Sequence, residues 1–289
     1  MVRAHLAGLP PSDALTLEER RAQYERAERV FPTPQEVVVE RVTAPAAPAE
    51  WLRPPAARDG EVVLYLHGGG YVIGSPRSHR HLAAAIATAA ETSALLLDYR
   101  LAPEHPFPAA VEDAVAAYRW LLDRGVGPGR VAVAGDSAGG GLTVATLVAL
   151  REAGVALPAA GVCISPWVDL TCSSGTYGTK ASVDPIVVRD SIVAMANAYL
   201  AGADPRTPLA SPLYADLHGL PPLLIEVGSD EVLLDDAFQL ADRAKRAGVE
   251  VTLEAWEDMI HVWPWFLPVL DEAQRAVDRI AAFVRSRIA

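Results

Sequence analysis

Positive charge is scarce in this 289-residue sequence. Lysine occurs only as Lys180 and Lys245, and 25 basic residues against 36 acidic ones leave a net charge of −11. That balance argues against a nucleic-acid binder, which needs a basic face to displace counterions. It also argues against a polybasic membrane anchor. Cysteine is equally sparse. Cys163 and Cys172 are too few for a disulfide scaffold and lack metal-ligand spacing, so both are expected as buried thiols, with no metal site. No uncharged apolar run approaches the ~20 residues of a membrane span. The stretch from Met1 to Pro11 has no apolar core of an export signal. The expectation is a cytoplasmic protein. Nucleotide fingerprints are missing too: there is no Gly-x-x-x-x-Gly-Lys-Ser/Thr, and Gly125, Gly127 and Gly129 precede a strand, the wrong side for a dinucleotide. No cofactor is expected.

What the chain has in quantity is apolar surface. Hydrophobic residues make up 51%, and a chain of this length buries roughly 75% of its unfolded surface. Leu15–Val30 is charged but helical in period, and Thr16 with Glu19 forms a capping box at its start. Val37–Val42 reads as a strand, and Ala44–Ala49 as a Pro/Ala-rich connection. From Glu61 onward short apolar runs alternate with helical stretches. The predicted strands are Val62–Leu66, Ala94–Asp98, Arg130–Ala134, Ala160–Ile164, Pro222–Val227 and Val251–Ala255. The predicted helices are Ser78–Ala90, Pro108–Arg124, Ala138–Ala153, Asp235–Ala247 and Asp271–Arg287. Strands this uniformly apolar are covered on both faces, so the alternation predicts an α/β fold with a mostly parallel central sheet flanked by helices. Thr171–Gly178 reads as loop and Pro185–Leu200 as a helix without a strand partner. With the N-terminal helix it could form a lid above the sheet.

Gly135-Asp136-Ser137-Ala138-Gly139 follows one predicted strand and opens a helix. A Gly-x-Ser-x-Gly turn in that setting lifts a serine hydroxyl above the sheet and leaves the Ala138 amide at a helix start, where it can meet a developing oxyanion. His67-Gly68-Gly69-Gly70 follows an earlier strand, and its glycines let backbone amides approach an oxygen closely. In the order nucleophile, acid, histidine, only His218 and His261 follow Ser137. His218 precedes a Gly-Leu-Pro-Pro turn and reads as a surface residue; His261, after the last strand, is the expected base. His79 and His81 flank Arg80, a spacing that does not suit ligands on one helix face. The acid falls among Asp230, Glu231, Asp235 and Asp236, and composition does not choose between them.

Taken together, His67-Gly68-Gly69-Gly70, Asp98-Tyr99-Arg100-Leu101-Ala102-Pro103-Glu104, Gly135-Asp136-Ser137-Ala138-Gly139-Gly140 and Ser165-Pro166-Trp167-Val168-Asp169-Leu170 resemble the hormone-sensitive-lipase-like bacterial esterases of the α/β-hydrolase fold. The resemblance implies a single domain over 1–289, with a helical cap from about 1–35 and 175–205 on a catalytic core of about 36–174 and 206–289. It implies a serine carboxylesterase with Ser137 as nucleophile, His261 as base and the amides of Gly69, Gly70 and Ala138 as oxyanion donors. The family's acid opens an Asp-Pro-Leu-x-Asp frame. Here Glu231-Val232-Leu233-Leu234-Asp235 occupies it, which puts Glu231 first and Asp230 second as the acid. Met259, Trp263 and Trp265 flank His261 and are expected to line a pocket for short- to medium-chain acyl groups. Lactone hydrolysis or amide hydrolysis would use the same apparatus. A receptor that binds a small ligand without hydrolysis is the alternative of another class, opposed by the presence of Ser137, His261 and a carboxylate. Relatives of this kind are often homodimers.

Overall fold

The computed structural model describes residues 15–45 and 47–288. Nine helices and eight strands are found among them. The N-terminal part of the expected cap, 1–14, lies outside the described residues.

The strands are β1 (Val38–Thr43), β2 (Pro48–Arg53), β3 (Val62–Leu66), β4 (Ser93–Leu97), β5 (Val131–Asp136), β6 (Ala160–Ile164), β7 (Leu223–Gly228) and β8 (Val251–Trp256). They form one sheet in the order β1-β2-β4-β3-β5-β6-β7-β8, antiparallel at β1–β2–β4 and parallel from β4 to β8. The helices are α1 (Leu17–Glu25), α2 (Ala27–Val30), α3 (Pro76–Ala90), α4 (Ala109–Asp123), α5 (Ala138–Glu152), α6 (Thr176–Thr179), α7 (Arg189–Leu200), α8 (Leu234–Arg246) and α9 (Asp271–Arg287).

The uniform apolarity of the central strands has its explanation in two cores. Side chains alternate across a strand. Val62, Leu64 and Leu66 of β3 join Val131 and Val133 of β5 in a core with α4, α5 and α8. Val63 and Tyr65 join Ala132 and Ala134 on the opposite face, against α3 and α9. Each fully buried Val or Leu of this kind contributes about 1.5–3 kcal/mol. The predicted α/β architecture is therefore the observed one.

Some boundaries differ, with physical reasons. The N-terminal helix breaks at Arg26 into α1 and α2, and its capping box is present as expected. The Pro/Ala-rich stretch runs into β2, which the sequence pattern did not suggest. Pro48 stands at the strand's first residue, where a missing N–H does no harm, and Ala49 to Leu52 are buried. The helix expected from Pro185 begins at Arg189, because the Asp184 carboxylate takes the Ile186 and Val187 amides, both at 2.9 Å, in a turn ahead of it. Thr171–Gly178 is not all loop, since α6 closes it.

After β3 the chain first adds β4 on one side and then crosses to β5 on the other. The carboxyl ends of β3 and β5 therefore flank a topological switch point, where open α/β sheets bind ligands. Both glycine-rich motifs sit there.

Candidate active site

Ser137 follows the last residue of β5 with φ 53° and ψ −120°. A non-glycine residue there carries strain of order 1–3 kcal/mol, and the surroundings hold it in place. Its amide donates to the Ile164 carbonyl (2.8 Å), while its own carbonyl accepts from Trp167 (2.9 Å) and Gly141 (3.1 Å). Close approach forbids a side chain at Gly139, where a Cβ would collide with the Leu66 carbonyl. From Val131 to Val148 every residue is buried except Ser137, which is partly exposed.

His261 follows β8 and meets Glu231, which follows β7. Nδ1 lies 2.6 Å from Glu231 Oε2. An ionised carboxylate only accepts, so Nδ1 carries the hydrogen and Nε2 is left to take a proton. The other oxygen of Glu231 accepts from the Gly228 amide (2.6 Å) and the Ser165 hydroxyl (2.8 Å). Ser165 Oγ in turn accepts from the Val262 amide (3.0 Å). One strand end thus serves both halves of the site: Ile164 holds the Ser137 backbone, and Ser165 holds the acid and the loop of the base. Burial opposes a charged His261, but the Glu231 charge and hydrogen bond outweigh it and raise the imidazole above its ordinary value.

Asp230, the second candidate acid, faces away. Its carboxylate lies 3.7 Å from Lys180 Nζ, and its amide donates to the Met259 carbonyl. Asp235 accepts from the Thr176 amide, and Asp236 from the Val168 and Asp169 amides, so both brace the segment after β6. The geometry pairs His261 with Glu231.

The loop after β3 carries the other glycines. Gly69 and Gly70 have φ of 114° and 63°, which a side chain would resist. The loop is anchored by Asp136, the residue before Ser137. Asp136 Oδ1 accepts from the Gly68 amide (3.1 Å) and the Tyr65 hydroxyl (2.8 Å), and Oδ2 lies 3.3 Å from His79 Nε2. Burial works against the Asp136 carboxylate, yet His79 and these hydrogen bonds hold its pKa below the usual value. His67 stacks on Tyr99 at 4.2 Å with Nδ1 2.7 Å from the Gly68 carbonyl; burial pushes its pKa down to about 3. It is a neutral support of the loop.

The expected pocket residues need correction. Trp263 is fully buried with Trp256, Ile260, Phe266 and Ala276 of α9, and Met259 packs into the same cluster. Trp265 stacks on Tyr24 of α1 and donates to the Ser78 carbonyl. Val262, with φ 50°, turns the chain into a 3₁₀ helix and carries these side chains toward the C-terminal helix and the N-terminal segment. Packing alone accounts for Trp263, while Met259 and Trp265 remain partly exposed.

Other motif residues are structural. Arg100 pairs with Asp113, and Glu104 with Arg21 at 2.7 Å. Arg21 also donates to the Val72 and Ala102 carbonyls, which ties α1 to the segments after β3 and β4. His218 is exposed beside Asp216, and His81 contacts the Trp265 carbonyl. The roles of Asp136, Ser165 and Arg21 had no sequence signal beyond membership of a motif or a helix.

The alpha/beta hydrolase fold family matches residues 63–264. An acetyl-hydrolase of Streptomyces hygroscopicus is 54% identical over 93% of this chain and 90% of its own length. An esterase of Acinetobacter venetianus is 31% identical over 89% of this chain and 85% of its own. The crystal structure of an esterase from the bacterial hormone-sensitive lipase family superposes with a TM-score of 0.96 at 53% identity, covering 99% of this chain and 96% of that one. On fold, site geometry and sequence together, the chain belongs to the hormone-sensitive-lipase family of bacterial esterases within the alpha/beta hydrolase fold.

Proposed function

We propose that this carboxylesterase cleaves short- to medium-chain esters through an acyl-Ser137 intermediate. The observation that carries the reading is the buried Glu231–His261 contact of 2.6 Å, in a molecule whose Ser137 is held strained and partly exposed at the end of β5. His261 Nε2 takes the Ser137 proton as Oγ attacks the carbonyl carbon. Negative charge then develops on the carbonyl oxygen, which the amides of Gly69, Gly70 and Ala138 receive. Each donor is worth about 10²–10³ in rate. Protonated His261 passes its proton to the departing alcohol, and a water activated by the same imidazole releases the acid. Glu231 keeps the imidazole in its tautomer and stabilises the imidazolium without taking the proton.

We assign the cap to α1 and the segment around α7. In support, Arg20 of α1 lies 3.4 Å from Ser191 of α7, and Arg21 of α1 bonds the Val72 and Ala102 carbonyls. We also propose a cytoplasmic location, supported by two buried, unpaired thiols, and a homodimer, supported by the family resemblance alone. No helix among the described residues is long and apolar enough to cross a membrane. Light scattering on the purified protein tests the dimer.

The test of the activity is hydrolysis of p-nitrophenyl esters from acetate to palmitate, wild type beside Ser137→Ala. Turnover of the short esters that disappears in the variant supports the reading. A folded wild type inert across the series defeats it.

A further inference from the structure

Between α6 and α7 the chain is mostly exposed. From Ala181 to Asp190 the one buried residue is Asp184, a carboxylate. A buried acid needs hydrogen bonds to offset the water it loses, and here three amides supply them. Oδ1 accepts from Ile186 and Val187, both at 2.9 Å, which shapes the local turn. That turn uses one oxygen only. Oδ2 accepts from the Val232 amide at 2.9 Å, 48 residues further along the chain. Val232 is fully buried and directly follows Glu231.

The same segment grips the loop at other points. The Thr176 hydroxyl donates to the Val232 carbonyl at 2.7 Å, and the Thr176 amide donates to Asp235 at 3.0 Å. Lys180, whose carbonyl accepts the Asp184 amide, stands 3.7 Å from Asp230. The residues on both sides of Glu231 are thus met by 176–184, while the Glu231 carboxylate turns to Gly228, Ser165 and His261. The peptide after Glu231 is tied at both ends, its N–H to Asp184 and its carbonyl to the Leu234 amide at 3.3 Å. We propose that Asp184 is a positioning residue of the esterase, which through the Val232 amide holds Glu231 where the acid meets His261. The inference rests on the ester-hydrolase reading above and adds to it a residue of the segment before α7. The charge of Asp184 acts on the same imidazole. Burial opposes the protonated ring, and three carboxylates favour it: Glu231 in contact, then Asp184 and, from the end of β5, Asp136.

The test measures kcat, KM and the pH profile of kcat/KM on p-nitrophenyl butyrate for wild type, Asp184→Asn, Asp184→Ser and Asp190→Asn. Rates are taken per active site, titrated with a p-nitrophenyl alkylphosphonate that labels the reactive serine, so unfolded molecules are not counted. Asp184→Asn keeps an acceptor oxygen for the local turn and loses the charge. Its kcat is expected to fall about tenfold or more, with KM within about twofold, because a displaced acid weakens the transition state and not binding. The midpoint of its pH profile should move to lower pH. Asp184→Ser serves the turn through its hydroxyl but is one bond too short for Val232, and should repeat both changes if Asn disturbs the fold. Asp190→Asn removes the same charge from an exposed position and should move neither. A kcat per site within about twofold of wild type in the Asn and Ser variants overturns the proposal. So does an unmoved midpoint, since a residue that supported only the fold would leave it in place, and so does a rise in KM at constant kcat. Wild type inert on every ester would instead overturn the hydrolase reading, so the two failures are distinguishable.

Discussion

Two buried histidines flank the loop of Ser137, and they differ in almost everything but burial. His67 follows β3, stacks on Tyr99 and reaches only a carbonyl; burial holds it neutral, with a pKa near 3. His261 follows β8 and is nearly as inaccessible, yet Glu231 at 2.6 Å more than offsets its burial and raises its pKa. Desolvation alone strips an imidazole of basicity. A buried carboxylate in contact restores it, and only then is the ring a useful base near neutral pH. One histidine is therefore mortar and the other is the proton carrier of the proposed mechanism, and their partners make the difference.

The sharpest way to break the comparison is to exchange the two rings for amides. His261→Gln should lower kcat by about 10⁴–10⁶ with little change in melting temperature. His67→Gln should leave kcat per folded molecule within about tenfold while costing about 1–3 kcal/mol of stability, because a buried packing and hydrogen-bonding group is altered. Steady-state kinetics beside thermal unfolding separates the two, and equal kinetic losses would remove the distinction.

The next effect belongs to the partner. Glu231→Gln should reduce kcat by about 10³–10⁴, since the amide no longer enforces the tautomer or stabilises imidazolium. Asp230→Asn, which weakens the contact with Lys180 and leaves the His261 pairing intact, should stay within about threefold of wild type. A large loss in Asp230→Asn alone would move the acid.

A smaller loss is expected on the side of His67. Asp136→Asn keeps a carbonyl oxygen for the Gly68 amide but discards the charge opposite His79. A fall of about 10–100-fold in kcat with KM nearly unchanged is expected, as a slightly misplaced oxyanion loop costs part of one donor's contribution. Parallel losses in kcat and folded fraction would mean that Asp136 supports only the fold.

The mildest change is a displacement along the pH axis. His261 must be neutral to act as base, so kcat/KM rises as pH passes upward through its pKa. Because Glu231 raises that pKa, the wild-type midpoint lies above the ordinary imidazole value of about 6.5. In Glu231→Gln the residual activity should have its midpoint at lower pH. An unmoved or raised midpoint would mean that Glu231 does not set the basicity of His261.

Much of the architecture was legible because it is local. β3 and β6 occur with the bounds their apolar runs suggested, and α9 spans the predicted Asp271–Arg287. β2 was not legible: its prolines and alanines carry no strand signal, and it forms because β1 and β4 hold it on both sides. Ser137 was legible as a turn between strand and helix, and the pairing of Glu231 with His261 from the motif frame. Asp136 and Ser165 were visible as letters in motifs but not as anchors. Asp136 reaches across 71 residues to Tyr65, and Ser165 across 66 to Glu231. Trp263 misled for the opposite reason, since nearness in sequence to His261 says nothing about which way a side chain turns.

The sequence by itself therefore determined the layered fold, the strained serine turn and the types of residue available for catalysis. These follow from periodicity and backbone sterics within a few residues. Tertiary structure alone decided how Ser165 and Asp136 anchor the two catalytic loops, which histidine keeps its basicity, and that Trp263 turns into the packing against the C-terminal helix. Those outcomes depend on distances of a few ångströms between segments far apart in the chain, and on the low-dielectric surroundings that make such distances count.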